Sequence, residues 1–205
     1  MTLVCYAARS TLSLSLHAAE AGTGTVLFGG YDTEKYTGDL TFLGMQPDAE
    51  SGSITMPMVT WSILAVTDST GTHVVSQADF PLPAVLDSGT ALAIVPSDVF
   101  DKLANYFGVF ASDDGTSLVN CSNAQLNGTV DYGFGGDGGP VISVPFSELI
   151  IPSYDDQGDH LLVNGSAACA LGFAPAAEGS PILLGDTFLR SAYVVVSTWT
   201  SIYNA

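Results

Sequence analysis

Positive charge is what this sequence has least of. Lys35, Lys102, Arg9 and Arg190 are its only lysines and arginines, against 21 acidic residues, for a formal net charge of −17 over 205 residues. A surface that grips a phosphate backbone needs clustered cations, so a nucleic-acid partner is excluded. The same shortage argues against docking on anionic lipid. Long apolar runs are missing too; none reaches the roughly 18 residues that span a bilayer as a helix. Charged residues of both signs make up only 12% of the chain. Its histidines, His17, His73 and His160, are scattered without metal-ligand spacing, so neither a metal nor any other cofactor is expected.

What is present fits a folded, mainly β protein. Apolar residues account for 47% of the sequence, enough to close a sizeable core, which argues against intrinsic disorder. Ser, Thr, Gly and Asn supply most of the polar surface, and they suit strands and turns better than helices. A chain with a sequence pI near 4.1 also sheds much of its self-repulsion when its carboxylates protonate, so it tolerates acid. No repeat, charge run or Pro-rich linker divides the chain.

The strict alternation of Thr11 to Leu16 predicts a strand with Leu12, Leu14 and Leu16 on one face. Thr25 to Phe28, stopped by Gly29-Gly30, makes it a hairpin. Further strands are expected over Thr37 to Leu43, Met58 to Val66 and Thr72 to Ser76. One clear amphipathic helix is predicted from Ser97 to Phe107, with Ser97 as its cap and Gly108 as its stop. Shorter helical pieces are expected at Ser147 to Ile150 and Thr187 to Ala192.

Three N-glycosylation sequons begin at Asn120, Asn127 and Asn164, and Cys121 and Cys169 could close a loop nearby. Together they point to an oxidising, secretory route; the alternative is two buried thiols and chance sequons. Met1 to Ala8 lacks the cationic start and apolar centre of a signal peptide.

The most informative segment is Ala84-Val85-Leu86-Asp87-Ser88-Gly89-Thr90. An apolar strand delivers a carboxylate into a bend of small and hydroxyl residues. An Asp after a buried strand is expensive unless donors meet it, and Ser88, Thr90 and the amides around Gly89 could supply them. Such a carboxylate is placed for acid–base work; on spacing alone it could equally close a turn.

With Ala91 to Pro96 behind it, this segment resembles the second Asp-Ser/Thr-Gly motif of pepsin-like aspartic proteases. Two more stretches carry the resemblance. Ser13 to Leu16, Gly24 to Asp32 and Lys35 to Gly38 are similar to the hairpin that starts the family's C-terminal lobe. Ile182-Leu183-Leu184-Gly185-Asp186-Thr187-Phe188-Leu189-Arg190 with Tyr193-Val194-Val195 resembles its closing signature. The style is that of fungal secreted and yapsin-like members, Val144 to Ile150 included. The resemblance implies an all-β lobe over residues 11–205 with one or two short helices, preceded by an extension of uncertain origin over 1–10.

By the same resemblance, Asp87 is one of two catalytic aspartates. Ser88 is half of a hydroxyl lattice joining two active loops, Thr90 bonds the carboxylate, and the backbone at Gly89 and Thr90 binds substrate. Gly185 lies below the loop, Cys121 and Cys169 form a disulfide, and Tyr193 and Val194 belong to a strand near the lobe–lobe sheet. The partner molecules are a peptide or protein substrate and an N-terminal lobe, or a second copy of the chain. The location implied is secreted or vacuolar.

The sequence also departs from the family. It has no second Asp-Thr-Gly loop and no Tyr-bearing flap hairpin; Asp32-Thr33 runs on to Glu34, and Asp186-Thr187 to Phe188. Position 91 is Ala where many relatives carry Ser or Thr, and Val196-Ser197 stands where an apolar-Asp pair is common. The expectation is an aspartic endopeptidase lobe that lends one carboxylate to acid-pH hydrolysis and has little activity alone, as from a truncated gene. The rivals are a non-catalytic one-lobed binding module and a homodimer pairing two Asp87 loops.

Other motifs point elsewhere only weakly. Gly133 to Gly138 matches G-x-G-x-x-G, but Pro140 to Val144 reads as a strand, so no helix is there to receive a dinucleotide. The Asp87 bend lacks the second Asp of a phosphatase loop. Asp113-Asp114 and Asp155-Asp156 read as solvated turns rather than calcium loops.

Overall fold

A computed structural model describes residues 2–6, 11–17, 23–111 and 116–197, and for residues 2–6 and 111 only the backbone. In chain order the first elements are β1 (Thr2–Tyr6), β2 (Thr11–Leu16), β3 (Gly24–Phe28), β4 (Leu40–Gly44), β5 (Met58–Asp68), β6 (Gly71–Val74), β7 (Leu82–Leu86) and β8 (Ala93–Val95). Helix α1 (Ser97–Phe107), β9 (Phe110–Ala111), β10 (Ser117–Asn120), a 3-10 turn over Cys121–Gln125, β11 (Thr129–Phe134), β12 (Val141–Pro145) and α2 (Phe146–Leu149) follow. The chain then forms β13 (Ile150–Pro152), β14 (Leu162–Val163), β15 (Ser166–Leu171), β16 (Phe173–Pro175), β17 (Leu183–Leu184), α3 (Asp186–Leu189) and β18 (Tyr193–Ser197). The architecture is mainly β, as the sequence predicts.

Three sheets result. An eight-stranded sheet runs β12-β11-β5-β7-β17-β8-β16, with β6 also on β5; a five-stranded sheet runs β3-β2-β18-β1-β4; a third runs β13-β15-β10-β9, with β14 on β15. The core gathers the largest fully buried side chains, Trp61, Tyr132, Phe134, Phe146, Phe173 and Phe188. Trp61 stacks on Tyr132 with ring centroids 5.7 Å apart, and Tyr132 meets Phe188 at 4.9 Å. Neither the Trp61 Nε1 nor the Tyr132 hydroxyl finds a hydrogen-bond partner among the described residues.

The expected hairpin forms, with Leu14 of β2 opposite Val26 of β3. Its leucine face is only half-buried, and the buried residue of β2 is Ser13 on the other face. Ser13 pairs with Val195, which belongs to a small second cluster of Tyr193, Val195, Tyr36 and Leu40. The third expected strand starts later than its sequence suggests: Gly38 turns with φ +81°, and β4 begins only at Leu40. Residues 2–6, read from the sequence as an extension, are a strand parallel to both β18 and β4.

Helix α1 has the expected bounds, burying Val99, Leu103 and Phe107, and Gly108 ends it in the left-handed conformation at φ +67°. The expected cap does not form. Pro96 occupies the cap position with no side-chain acceptor to offer, and the Ser97 hydroxyl donates instead to the Ala176 carbonyl at 3.4 Å. The two shorter helices are single turns shifted from their expected bounds by one residue or more. Gly133 to Gly138 closes the β11–β12 hairpin, and no helix follows it before β12.

Candidate active site

The site is built where three short strands meet. Strand β7 buries Ala84, Val85 and Leu86, and its last amide, at Leu86, donates to the Pro57 carbonyl at 3.0 Å. The chain then bends at Asp87 and returns as β8. Between these two strands lies β17, parallel to β7 and antiparallel to β8, so the Asp87 loop straddles the end of β17. The Asp87 amide donates to the Leu184 carbonyl at 3.1 Å, which ties the loop to the strand it crosses.

The loop holds its own carboxylate. The Gly89 amide donates to Asp87 Oδ1 at 2.9 Å, and the Thr90 hydroxyl donates to Oδ2 at 2.7 Å. With one donor on each oxygen, the carboxylate plane is fixed. Asp87 is half-buried, whereas Ser88 and Gly89 are exposed. The carboxylate therefore sits at the lobe's surface rather than in its core. Of the donors the sequence offers, Thr90 and Gly89 serve; no hydrogen bond joins Ser88 to Asp87 among the described residues.

Beneath the loop, Gly185 is required for space rather than for conformation. Its φ of −88° suits any residue, but a Cβ there would lie 2.1 Å from the Thr90 carbonyl oxygen and 2.4 Å from that of Leu92. This close approach lets the Asp186 amide donate to the Thr90 carbonyl at 2.8 Å and the Thr187 amide to that of Ala91 at 3.2 Å. The Thr187 hydroxyl, fully buried, bonds the Gly172 carbonyl at 3.1 Å.

Asp186, which the sequence reading set aside as a partner for Asp87, is its titratable neighbour. Burial holds its carboxyl above the ordinary value of 3.8, the negative charge of Asp87 adds to the rise, and Arg190 works against it. The signal was present in the Gly185-Asp186 pair: a residue next to a glycine packed under an active loop must itself lie near that loop. Arg190 is in turn held by Glu148, with Nε 2.7 Å from Oε2 and Nη2 donating to the Glu148 carbonyl at 2.8 Å.

The remaining expected site residues lie elsewhere. Cys121 and Cys169 form a disulfide with Cα atoms 5.0 Å apart, and Asn120, Asn127 and Asn164 are all exposed. Tyr193 and Val194 lie in β18, in the five-stranded sheet; the Tyr193 hydroxyl accepts from the Asp32 amide at 2.8 Å. Asp155 caps its own exposed turn, accepting from the amides of Gln157 and Asp159. Asp113 and Asp114 lie outside the described residues. Among the described residues no group of His, Cys, Asp and Glu is arranged to hold a metal ion.

A family model described as eukaryotic aspartyl protease matches residues 7–201. The chain belongs to that family. It is 37% identical over 185 residues to the probable aspartic-type endopeptidase opsB of Aspergillus oryzae, covering 89% of this chain and 36% of that one. It is 33% identical over 194 residues to secreted aspartic protease 9 of Candida albicans, covering 92% of this chain and 32% of the relative. This aspartyl protease chain thus spans about a third of the length of these curated relatives. Its fold matches an aspartic proteinase from Irpex lacteus with a TM-score of 0.66 at 19% identity, covering 90% of this chain and 52% of the other. Among the described residues no helix is long and apolar enough to cross a membrane.

Proposed function

We propose that this chain is the C-terminal lobe of a pepsin-like aspartic endopeptidase, and that Asp87 supplies one of the two carboxylates that hydrolyse peptide bonds at acid pH. The observation that carries this reading is the Asp87 carboxylate itself, oriented by Gly89 and Thr90 at an exposed bend. In such a pair one ionised carboxylate takes a proton from the attacking water while the other, protonated, gives one to the scissile carbonyl. Repulsion between two facing carboxylates keeps a single proton shared between them. The backbone at Gly89 and Thr90 is placed to bond an extended peptide, and the Ser88 hydroxyl to meet the facing loop.

Neither Asp32 nor Asp186 is that second carboxylate. The Asp32 segment bonds Tyr193 in another sheet, and Asp186 lies under the loop rather than across from it. This polypeptide alone therefore turns over little or no peptide. Compartments such as the cell exterior or an acidic vacuole suit the disulfide and the acidic composition.

The experiment compares the purified chain with a fusion carrying, ahead of it, an aspartic-protease N-terminal lobe that has its own Asp-Thr-Gly loop. Asp87-dependent cleavage of an acid-labile peptide is expected only in the fusion. Cleavage by the chain alone that disappears in Asp87→Asn contradicts the requirement for a second lobe. A fusion whose activity survives Asp87→Asn contradicts the role of Asp87.

A further inference from the structure

Two of the sequons, far apart in sequence, meet at one groove. Phe110, Asn120, Val163, Asn164, Ser166 and Ala167 line a surface depression of about 510 Å³. The third sheet brings them together: Asn120 ends β10 opposite Ala168 of β15, and the β14–β15 hairpin turns through Asn164-Gly165 beside the Val163–Ser166 pair. Phe110, Val163 and Ala167 give the groove an apolar lining, two asparagines stand on it, and no charged residue lines it among the described residues.

Each asparagine is presented for modification. Asn120 uses its side-chain oxygen to accept from the Ser122 amide at 2.9 Å, while its amide nitrogen bonds no described residue. Asn164 has φ +52° and is followed by Gly165 at φ +78°, so it projects from a tight hairpin turn at an exposed tip. The residues next in sequence to Asn120 and Ala168 are Cys121 and Cys169, whose disulfide pins the groove. That bond needs the oxidising compartment in which lipid-linked sugars are also transferred.

We propose that Asn120 and Asn164 both carry N-linked glycans, and that these share the groove, with the apolar face of a first sugar seated on Phe110 and Val163. In each attachment the side-chain amide nitrogen bonds C1 of a lipid-diphosphate oligosaccharide. The C1–oxygen bond breaks, the lipid diphosphate leaves with the electron pair, and the amide gives up one proton. A covalently held sugar suits this surface better than a peptide, because the described lining is apolar and carries no charge for a peptide to pair with. Asn127, exposed ahead of β11 and outside the groove, serves as an internal comparator.

The test is to pass the full chain through a eukaryotic secretory pathway behind a removable leader. Peptide-N-glycosidase in 18O-water then marks every formerly occupied asparagine as labelled aspartate, read by peptide mass spectrometry. Label at both Asn120 and Asn164 is expected. Label at only one, at neither, or at Asn127 alone overturns the proposal. The double variant Ser122→Ala/Ser166→Ala removes both sequons while keeping both asparagines and the backbone donor to Asn120. Its Phe110 ring resonances are expected to differ from those of the glycosylated chain. Identical Phe110 signals in the two forms overturn the seating of sugar in the groove.

Discussion

The Asp186 amide donates to the Thr90 carbonyl at 2.8 Å, so the residue that bonds the candidate catalytic carboxylate is itself bonded from below. This contact exists because Gly185 has no side chain. Replacing Gly185 with Ala puts a methyl group 2.1 Å from backbone that β17 and the loop both hold in place. Overpacking against fixed backbone falls at the upper end of about 1–3 kcal/mol. We expect Gly185→Ala to lose about 3 kcal/mol in urea unfolding. A loss under half of that size means the loop can lift away from the strand.

Asp186 gives the chain a pH signature. Its carboxyl sits above 3.8 because of burial, then the charge of Asp87, against the pull of Arg190, which faces it from its own helix and is paired with Glu148 of α2. A carboxyl raised on folding binds protons more readily in the native state. The stability it contributes is complete below pH 3.8 and is lost as pH rises through its folded value. Asp186→Asn should therefore gain stability over the parent at pH 7 and lose that gain at pH 3. Urea titrations of both proteins across this range check it, and a pH-independent difference counts against the assignment. In an Asp87→Asn background the Asp186 titration, followed by NMR, should move down while staying above 3.8.

The opposite sign holds at the far end of α1. Asp68 accepts from the hydroxyl and amide of Thr70 and from the Tyr106 hydroxyl. These bonds, the Thr70 hydroxyl first, hold its carboxyl down at about 2, while burial and Asp68 push Tyr106 up to about 12. A depressed carboxyl contributes stability above its unfolded value of 3.8, and that stability is lost as pH falls through about 2. The β5–β6 turn thus stays clasped to the helix under acid conditions. Tyr106→Phe should be less stable than the parent at pH 5, with the difference closing as pH approaches 2.

In the core, the fully buried Tyr132 hydroxyl has no partner among the described residues, and burial pushes its ionisation up. An unsatisfied buried hydroxyl costs about 1–3 kcal/mol, and removing it leaves the ring contacts with Trp61 and Phe188 in place. Tyr132→Phe should match the parent or exceed it by about 1 kcal/mol in thermal or urea unfolding. A loss beyond about 1 kcal/mol means the hydroxyl is bonded in solution.

Local pattern made much of this fold readable. Helix α1 declares itself by its apolar spacing and its glycine stop, and the β2–β3 hairpin by alternation. The two-residue β17 has no period to read, and its place between β7 and β8 depends on pairings between distant segments. The Ser97 cap failed because Pro96 took the cap position, a choice made by one residue of register. At the site, Asp87 and Thr90 were legible because donor and acceptor lie three residues apart in one bend. Asp186 was legible only by its place after Gly185; that its charge reaches Asp87 emerges from the folded chain. The burial of Ser13 was hidden for a similar reason: alternation marks one covered face, and the pairing of Ser13 with Val195, itself packed in a cluster with Tyr36 and Leu40, comes only with the fold.

The placement of β17 also orders events during synthesis. Leu86, just before Asp87, pairs with Leu184, and the Asp87 amide with the same residue's carbonyl, so both must wait until the Leu184 segment has left the ribosome. Until then the bend lacks its floor and is steadied only by its own donors and by the pairing of β7 with β5. The carboxylate proposed for catalysis thus gains its underpinning only when that distant segment arrives.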